Sequence, residues 1–168
     1  DGLSLPFASI IYILSTSLAV YSIPYMKHRI EEEVSGLADE RRHRAFNSKF
    51  GLYCTLYLLY AAGMLGTVLA TNLIQFYIFF ELMLIPSYFL IAEFGYGDRY
   101  RISFIYFLWT HFGALVLLGG ILTTAFLSAV HGKTSVTFDM VRVTATGQIV
   151  GNIAASAIPV EIARFIAI

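Results

Sequence analysis

Glu81 lies inside the run Thr71-Asn72-Leu73-Ile74-Gln75-Phe76-Tyr77-Ile78-Phe79-Phe80-Glu81-Leu82-Met83-Leu84-Ile85-Pro86-Ser87-Tyr88-Phe89-Leu90-Ile91, which holds no cation to pair with its carboxylate. An acid at the centre of a bilayer costs roughly 3 kcal/mol on insertion scales, so its default reading is a functional group that faces protein or water. The chemistry it suggests is reversible protonation. On a helix, Tyr77 precedes Glu81 by four residues and Tyr88 follows it by seven, so two phenols share its stripe as candidates to line a water chain. Their competing role is simple packing, which is common in a chain that is 15% aromatic. Pro86 cannot donate to the carbonyl of Leu82, which predicts a bend or loosening of the helix within about one turn of the carboxylate.

His111, in Phe107-Leu108-Trp109-Thr110-His111-Phe112-Gly113-Ala114, is the second ionisable group in an apolar run. If Ala92 and Ile102 mark the ends of two antiparallel helices, Glu81 is about 16 Å deep and His111 about 14 Å at 1.5 Å per residue. The two therefore share a level. Imidazole titrates near neutral pH in water, so a glutamate and a histidine at one depth can exchange a proton at modest cost. The depth count leaves their facing open, and packing alone is the competing role of His111.

These groups need helices to hold them. Of the 168 residues, 58% are hydrophobic and only 13% charged, with a formal net charge of zero and a mean hydropathy of +0.73. Soluble domains average about 25% charged residues, so this composition predicts a polytopic membrane protein and disfavours a soluble bundle. Four apolar stretches are long enough to span, at about 3–25, 50–70, 72–92 and 102–130, and an incomplete fifth occupies 150–168. All are expected to be helices, because an unpaired backbone cannot sit in hydrocarbon and no alternating ten-residue strands of the barrel kind occur. The fold class is all-α, a transmembrane bundle in one domain.

Basic residues assign the sides. Lys27, Arg29, Arg41, Arg42, Arg44 and Lys49 fall in the connector 26–49, and Arg99 and Arg101 lie between the third and fourth spans, which puts both connections in the cytoplasm. The external side then receives the turn at Thr71-Asn72 and the segment 131–149, in which the alternation of 131–140 after His131-Gly132 predicts a short hairpin or a surface helix. Arg41-Arg42-His43-Arg44 shares its loop with Glu31-Glu32-Glu33, Asp39 and Glu40, which cancel the field that nucleic acid would need. Glu93 reads as interfacial, near Arg99 and Arg101, and Glu161 can pair with Arg164 on one face of the last stretch. Ala62, Gly66 and Ala70 in the second span, with Gly113, Gly119 and Gly120 in the fourth, predict close helix packing.

Other chemistry is not signalled. The lone Cys54 sits in an apolar run, and there is no Gly-x-Gly-x-x-Gly, phosphate loop, nucleophile elbow or metal-ligand cluster, so the chain is expected to bind no cofactor or metal itself. The chain lacks an initiator Met and a basic leader region, and 158–168 reads as the opening of a helix. Both features predict an internal piece of a longer chain.

The run Phe79-Phe80-Glu81-Leu82-Met83-Leu84-Ile85-Pro86-Ser87-Tyr88-Phe89-Leu90-Ile91 resembles the fifth-helix signature of the M-type antiporter-like membrane subunit of complex I. Asp1-Gly2-Leu3-Ser4-Leu5-Pro6 looks like the start of that family's third helix, and 107–115 is similar to its sixth. The resemblance implies an antiporter-like inverted-repeat fold, of which this chain covers the third helix to the start of the seventh. It implies that Glu81 pairs with a lysine on the seventh helix, which would lie beyond Ile168. Many relatives have Trp where this chain has Phe80, and many bacterial relatives have Gln where it has His111.

By the same resemblance the chain is a non-redox-active subunit of a proton-translocating NADH dehydrogenase (quinone). NADH, flavin, iron–sulfur clusters and quinone would sit in partner subunits, and other membrane-arm subunits and lipid would surround it. A prokaryotic plasma membrane is the expected location, ahead of an organellar inner membrane. The alternatives are a cation/proton antiporter subunit or part of a membrane-bound hydrogenase or formate-linked complex, and then a structural scaffold with an incidental buried acid.

Overall fold

The computed structural model describes residues 4–132, 136–143 and 149–151. Four helices follow one another: α1 (Ser4–Val34), α2 (Asp39–Leu69), α3 (Leu73–Phe94) and α4 (Arg99–Gly132). Each is long and apolar enough to cross a membrane. The main packing is sequential, α1 on α2, α2 on α3 and α3 on α4. This is an all-helical, multi-pass bundle with one small appendage, a pair of three-residue strands, β1 (Val141–Val143) and β2 (Ile149–Gly151).

Helices α1 and α2 are each 31 residues long, or about 46 Å at 1.5 Å per residue, well beyond a hydrocarbon core of roughly 30 Å. The surplus is the stretch 26–49, which is helical on both sides of a turn at 35–38 instead of an open loop. Its cause is an apolar stripe hidden among charges. Met26, Ile30 and Val34 recur at helical spacing, are buried, and pack against Ala45, Phe46, Phe50, Tyr53 and Phe94. Around the stripe, Lys49 Nζ meets Glu33 Oε1 at 2.5 Å, and Arg44 pairs with Glu40 at 3.0 Å on the exposed start of α2.

Between α2 and α3 the turn is short because Asn72 caps α3, its side-chain oxygen accepting from the backbone N–H groups of Ile74 and Gln75. The segment after α4 returns to this turn. Leu73 N donates to Phe138 O at 2.8 Å, Met140 N donates to Thr71 O at 2.9 Å, and the Asn72 amide donates to Asp139 at 2.7 Å. The alternation expected to form a local hairpin within 131–140 therefore pairs with the α2–α3 turn instead. The hairpin lies further on, where Val141–Val143 runs antiparallel to Ile149–Gly151. Val150, expected at the start of a fifth span, is in that strand, since β-branched residues on both sides favour pairing. The remainder of that stretch, with Glu161 and Arg164, lies outside the described residues.

The α3–α4 connection is Gly95 to Asp98. A Cβ on Gly95 would come within 2.3 Å of the Ile91 carbonyl oxygen, and Gly97 has φ +65, so each position needs glycine for its own reason. Arg29 reaches this loop from α1, donating to Gly95 O at 3.0 Å and lying 4.0 Å over the Tyr96 ring. Arg99 donates to the Glu93 backbone oxygen at 2.6 Å, so the expected neighbour of Glu93 meets its carbonyl.

Candidate functional site

Two glycines set the rotation of α3. A Cβ on Gly63 of α2 would meet the backbone nitrogen of Met83 at 2.9 Å, and one on Gly66 would enter the Phe79 ring. Phe79 and Met83 are two residues either side of Glu81, about 200° around a helix of 3.6 residues per turn. Pressing that face against α2 turns Glu81 toward α4. The expected stripe at Ala62, Gly66 and Ala70 is thus correct at Gly66, while Gly63 takes the place of Ala62. Gly113, Gly119 and Gly120 of α4 approach nothing among the described residues.

On the α4 side, Ser103, Ala114, Ile121 and Ala125 are buried, and His111 sits on the same helical stripe. Its Nε2 lies 3.4 Å from Glu81 Oε2. This is within ion-pair range but longer than the usual 2.7–3.2 Å of an N–H···O hydrogen bond, so the contact is electrostatic with room to tighten. The Glu81 side chain is 19% exposed and that of His111 33%, so neither is free in solvent or sealed in a core. His111 Nδ1 is buried and has no hydrogen-bond partner among the described residues. Phe107, one turn before it on α4, holds the imidazole face at a centroid distance of 4.2 Å.

Tyr77 is half-buried one turn before Glu81, and its phenol interacts with the carboxylate. Tyr88 lies on the same stripe but packs at a tilt on Phe107, with ring centroids 5.1 Å apart, so an aromatic ring stands between it and His111. Of the four candidate residues, the fold brings Glu81, His111 and Tyr77 together and gives Tyr88 a packing partner.

Pro86 is fully buried and α3 remains helical through it, so no break opens at the proline. A side-chain donor acts at that turn: Ser87 Oγ donates to Leu84 O at 2.7 Å and lies 3.0 Å from the Tyr106 hydroxyl of α4. Neither Ser87 nor Tyr106 is singled out by the sequence reading. The depth count that brings Glu81 level with His111 places Ser87 about 8 Å and Tyr106 about 6 Å from the same ends, which is the signal that would find them. Among the described residues no group of three His, Cys, Asp or Glu side chains could hold a metal ion.

Residues 70–163, which contain Glu81 and His111, match the family described as NADH:quinone oxidoreductase/Mrp antiporter, transmembrane. The chain belongs to this family. It is similar to NADH-quinone oxidoreductase subunit M of Mycobacterium tuberculosis, 37% identical over 94 residues, which are 55% of this chain and 17% of that protein. F(420)H(2) dehydrogenase subunit M of Methanosarcina mazei is 34% identical over 94 residues, 56% of this chain and 18% of that protein. A putative antiporter subunit mnhA2 of Staphylococcus aureus is 31% identical over 137 residues, 81% of this chain and 15% of that protein. The matched part is therefore less than a fifth of each of these relatives. No solved structure matches the chain.

The family match covers α3 and α4 whole, so the seam between Glu81 and His111 lies inside the shared region. The lysine that the resemblance expects opposite Glu81 lies outside the described residues.

Proposed function

We propose that this chain is part of a proton-translocating membrane subunit of an NADH:quinone oxidoreductase-like complex, and that Glu81 takes up and releases the proton. The observation that carries this reading is the approach of the His111 imidazole to the Glu81 carboxylate, 3.4 Å across the α3–α4 seam and within membrane-spanning helices.

The energetics support a mobile proton. Burying the carboxylate costs roughly 3 kcal/mol, while an imidazolium at this distance returns about 5 kcal/mol at an effective dielectric of 20, before the cost of burying the cation is counted. A proton passed between Oε2 and Nε2 leaves the net charge of the site unchanged, so small displacements of nearby charge can direct it. Tyr77 adds a phenol beside the carboxylate, and the ring of Phe107 limits the freedom of the imidazole. Electron transfer belongs to partner subunits, which would hold NADH, flavin, iron–sulfur clusters and quinone. A plasma membrane location and contacts with other membrane-arm subunits complete this reading.

The test is Glu81→Gln in the full-length protein within its assembled complex, read as protons moved per electron in membrane vesicles. Loss of pumping with assembly retained is expected. Pumping at the unmodified ratio would overturn the assignment.

A second reading, a cation/proton antiporter subunit, is favoured by the similarity to the antiporter subunit mnhA2, which extends over 81% of this chain. It uses the same carboxylate. Sodium-dependent alkalinisation of vesicles lacking any electron donor supports the antiporter, whereas pumping that requires a donor and a quinone supports the first reading.

A further inference from the structure

The Glu81–His111 pair needs a route by which protons arrive, and a hydroxyl-to-hydroxyl hydrogen bond joins α3 to α4 on one side of it. We propose that Ser87 of α3 and Tyr106 of α4 form a hydroxyl relay carrying protons between the Glu81–His111 pair and the basic-connector end of the bundle. The proposal rests on the proton-relay reading of Glu81.

Ser87 Oγ and Tyr106 Oη are 3.0 Å apart across the seam. Both residues are half-buried. The direction of the bond follows from counting hydrogens. A serine hydroxyl has one proton and two lone pairs, and Ser87 donates its proton to Leu84 O at 2.7 Å. Tyr106 must therefore be the donor to Ser87, which leaves lone pairs on the Tyr106 oxygen to accept from water on the basic-connector side. Ser103, a turn nearer that end, is fully buried and bonds the Tyr100 carbonyl, so it is already satisfied.

The row has the order a relay needs. A proton delivered by water binds Tyr106 Oη as the phenol's own proton passes to Ser87 Oγ. Once the serine hydroxyl turns from Leu84 O to water on the Glu81 side, its proton passes to that water, which protonates the carboxylate. Every O–H bond broken is matched by one formed, no electrons move, and rotation of the hydroxyls resets the row. Ser87 is six residues from Glu81, a rise of about 9 Å, so transfer needs one or two bridging waters and not a continuous channel. At the level of the hydroxyls Tyr88 packs on Phe107 at 5.1 Å. That contact narrows the seam, which favours passage of a proton over a hydrated ion.

The competing role is glue, since an interhelical hydrogen bond in a membrane also holds helices together. The experiment separates the two in the full-length protein within its assembled complex, using Tyr106→Phe, which keeps the ring, and Ser87→Ala. Coupled turnover is expected to slow roughly tenfold in each, below the 10²–10⁴ typical of losing a general acid or base because water can partly substitute. The solvent isotope effect is expected to grow, and the double variant should be no slower than either single one. Unchanged turnover and isotope effect in both single variants would overturn the relay, even if thermal stability falls. Glu81→Gln measured alongside tells the two ideas apart. If it stops pumping while Tyr106→Phe does not alter turnover, the relay is wrong and the Glu81 reading stands. A slowed Tyr106→Phe beside an unaffected Glu81→Gln overturns both, because the row would then lead elsewhere.

Discussion

Toward α2, helix α3 presents the backbone of Met83 and the ring of Phe79 to two glycines, whereas toward α4 it presents Glu81 and Ser87 to His111 and Tyr106. The first face is made by removing side chains, so that backbones meet at van der Waals distance. The second keeps its polar groups and leaves a 3.4 Å gap and a His111 Nδ1 with no hydrogen-bond partner among the described residues. Where hydrophobic drive between helices is absent, tight packing on one side is what allows a loose, polar contact on the other without loss of the fold. One face fixes position and the other has room to move a proton.

The largest effects should come from the polar face. Glu81→Gln removes the acid and stops pumping, as argued above. His111→Leu is expected to slow coupled turnover by about 10² or more, the lower end of what a positioned acid or base contributes, with the subunit still assembled. His111→Gln, which restores a polar head to the same position, should recover part of that loss. The measurement is the rate of vesicle acidification against the amount of assembled complex. Unchanged pumping in both variants would reduce His111 to packing against Phe107.

The packing face should respond in the opposite way. Gly63→Ala places a methyl 2.9 Å from the Met83 nitrogen and 3.0 Å from its Cα, atoms that cannot swing aside. Overpacking of this kind costs about 1–3 kcal/mol. Thermal unfolding of the purified assembly should therefore shift down, and the level of assembled subunit should fall. Pumping per assembled complex should change much less than in His111→Leu. A variant that assembled normally but pumped poorly would blur the division between the two faces.

How much of this was legible before folding differs by residue. Glu81 announces itself because charge in an apolar run is expensive, and the shared depth of Glu81 and His111 follows from a constant rise per residue. That they face each other depends on the rotation of α3, which Gly63 and Gly66 set, and a stripe of small residues read at a period of four selects Ala62 over Gly63. The helical connector was hidden because Met26, Ile30 and Val34 are outnumbered by charges, although their spacing of four was in view. Ser87 and Tyr106 went unread because a neutral hydroxyl has no charge to make its burial conspicuous. The attachment of 138–140 to the α2–α3 turn joins residues nearly 70 positions apart, and no local pattern encodes that pairing.

The connector offers the smallest effect and a check from outside the membrane. Glu33, near the end of α1 and beyond the apolar span, has its carboxyl held below the usual value chiefly by its hydrogen bond to Lys49, with the Lys49 charge acting in the same sense and desolvation opposing it. A depressed carboxylate contributes stability that is fully present above its unfolded value of 4.5 and is lost as pH falls through the lower folded value. Both side chains are about two-fifths exposed, so solvent screening confines the contribution to a few tenths of a kcal/mol. Glu33→Gln should accordingly lower the unfolding temperature slightly at neutral pH, and the two proteins should converge once the medium is acid enough to protonate Glu33 in both states. Proton pumping should be unaffected at either pH, because the pair closes the α1–α2 turn and touches neither face of α3. A pumping defect in Glu33→Gln would mean that the connector is coupled to the seam, and that fixing and moving are not as separate as the two faces of α3 suggest.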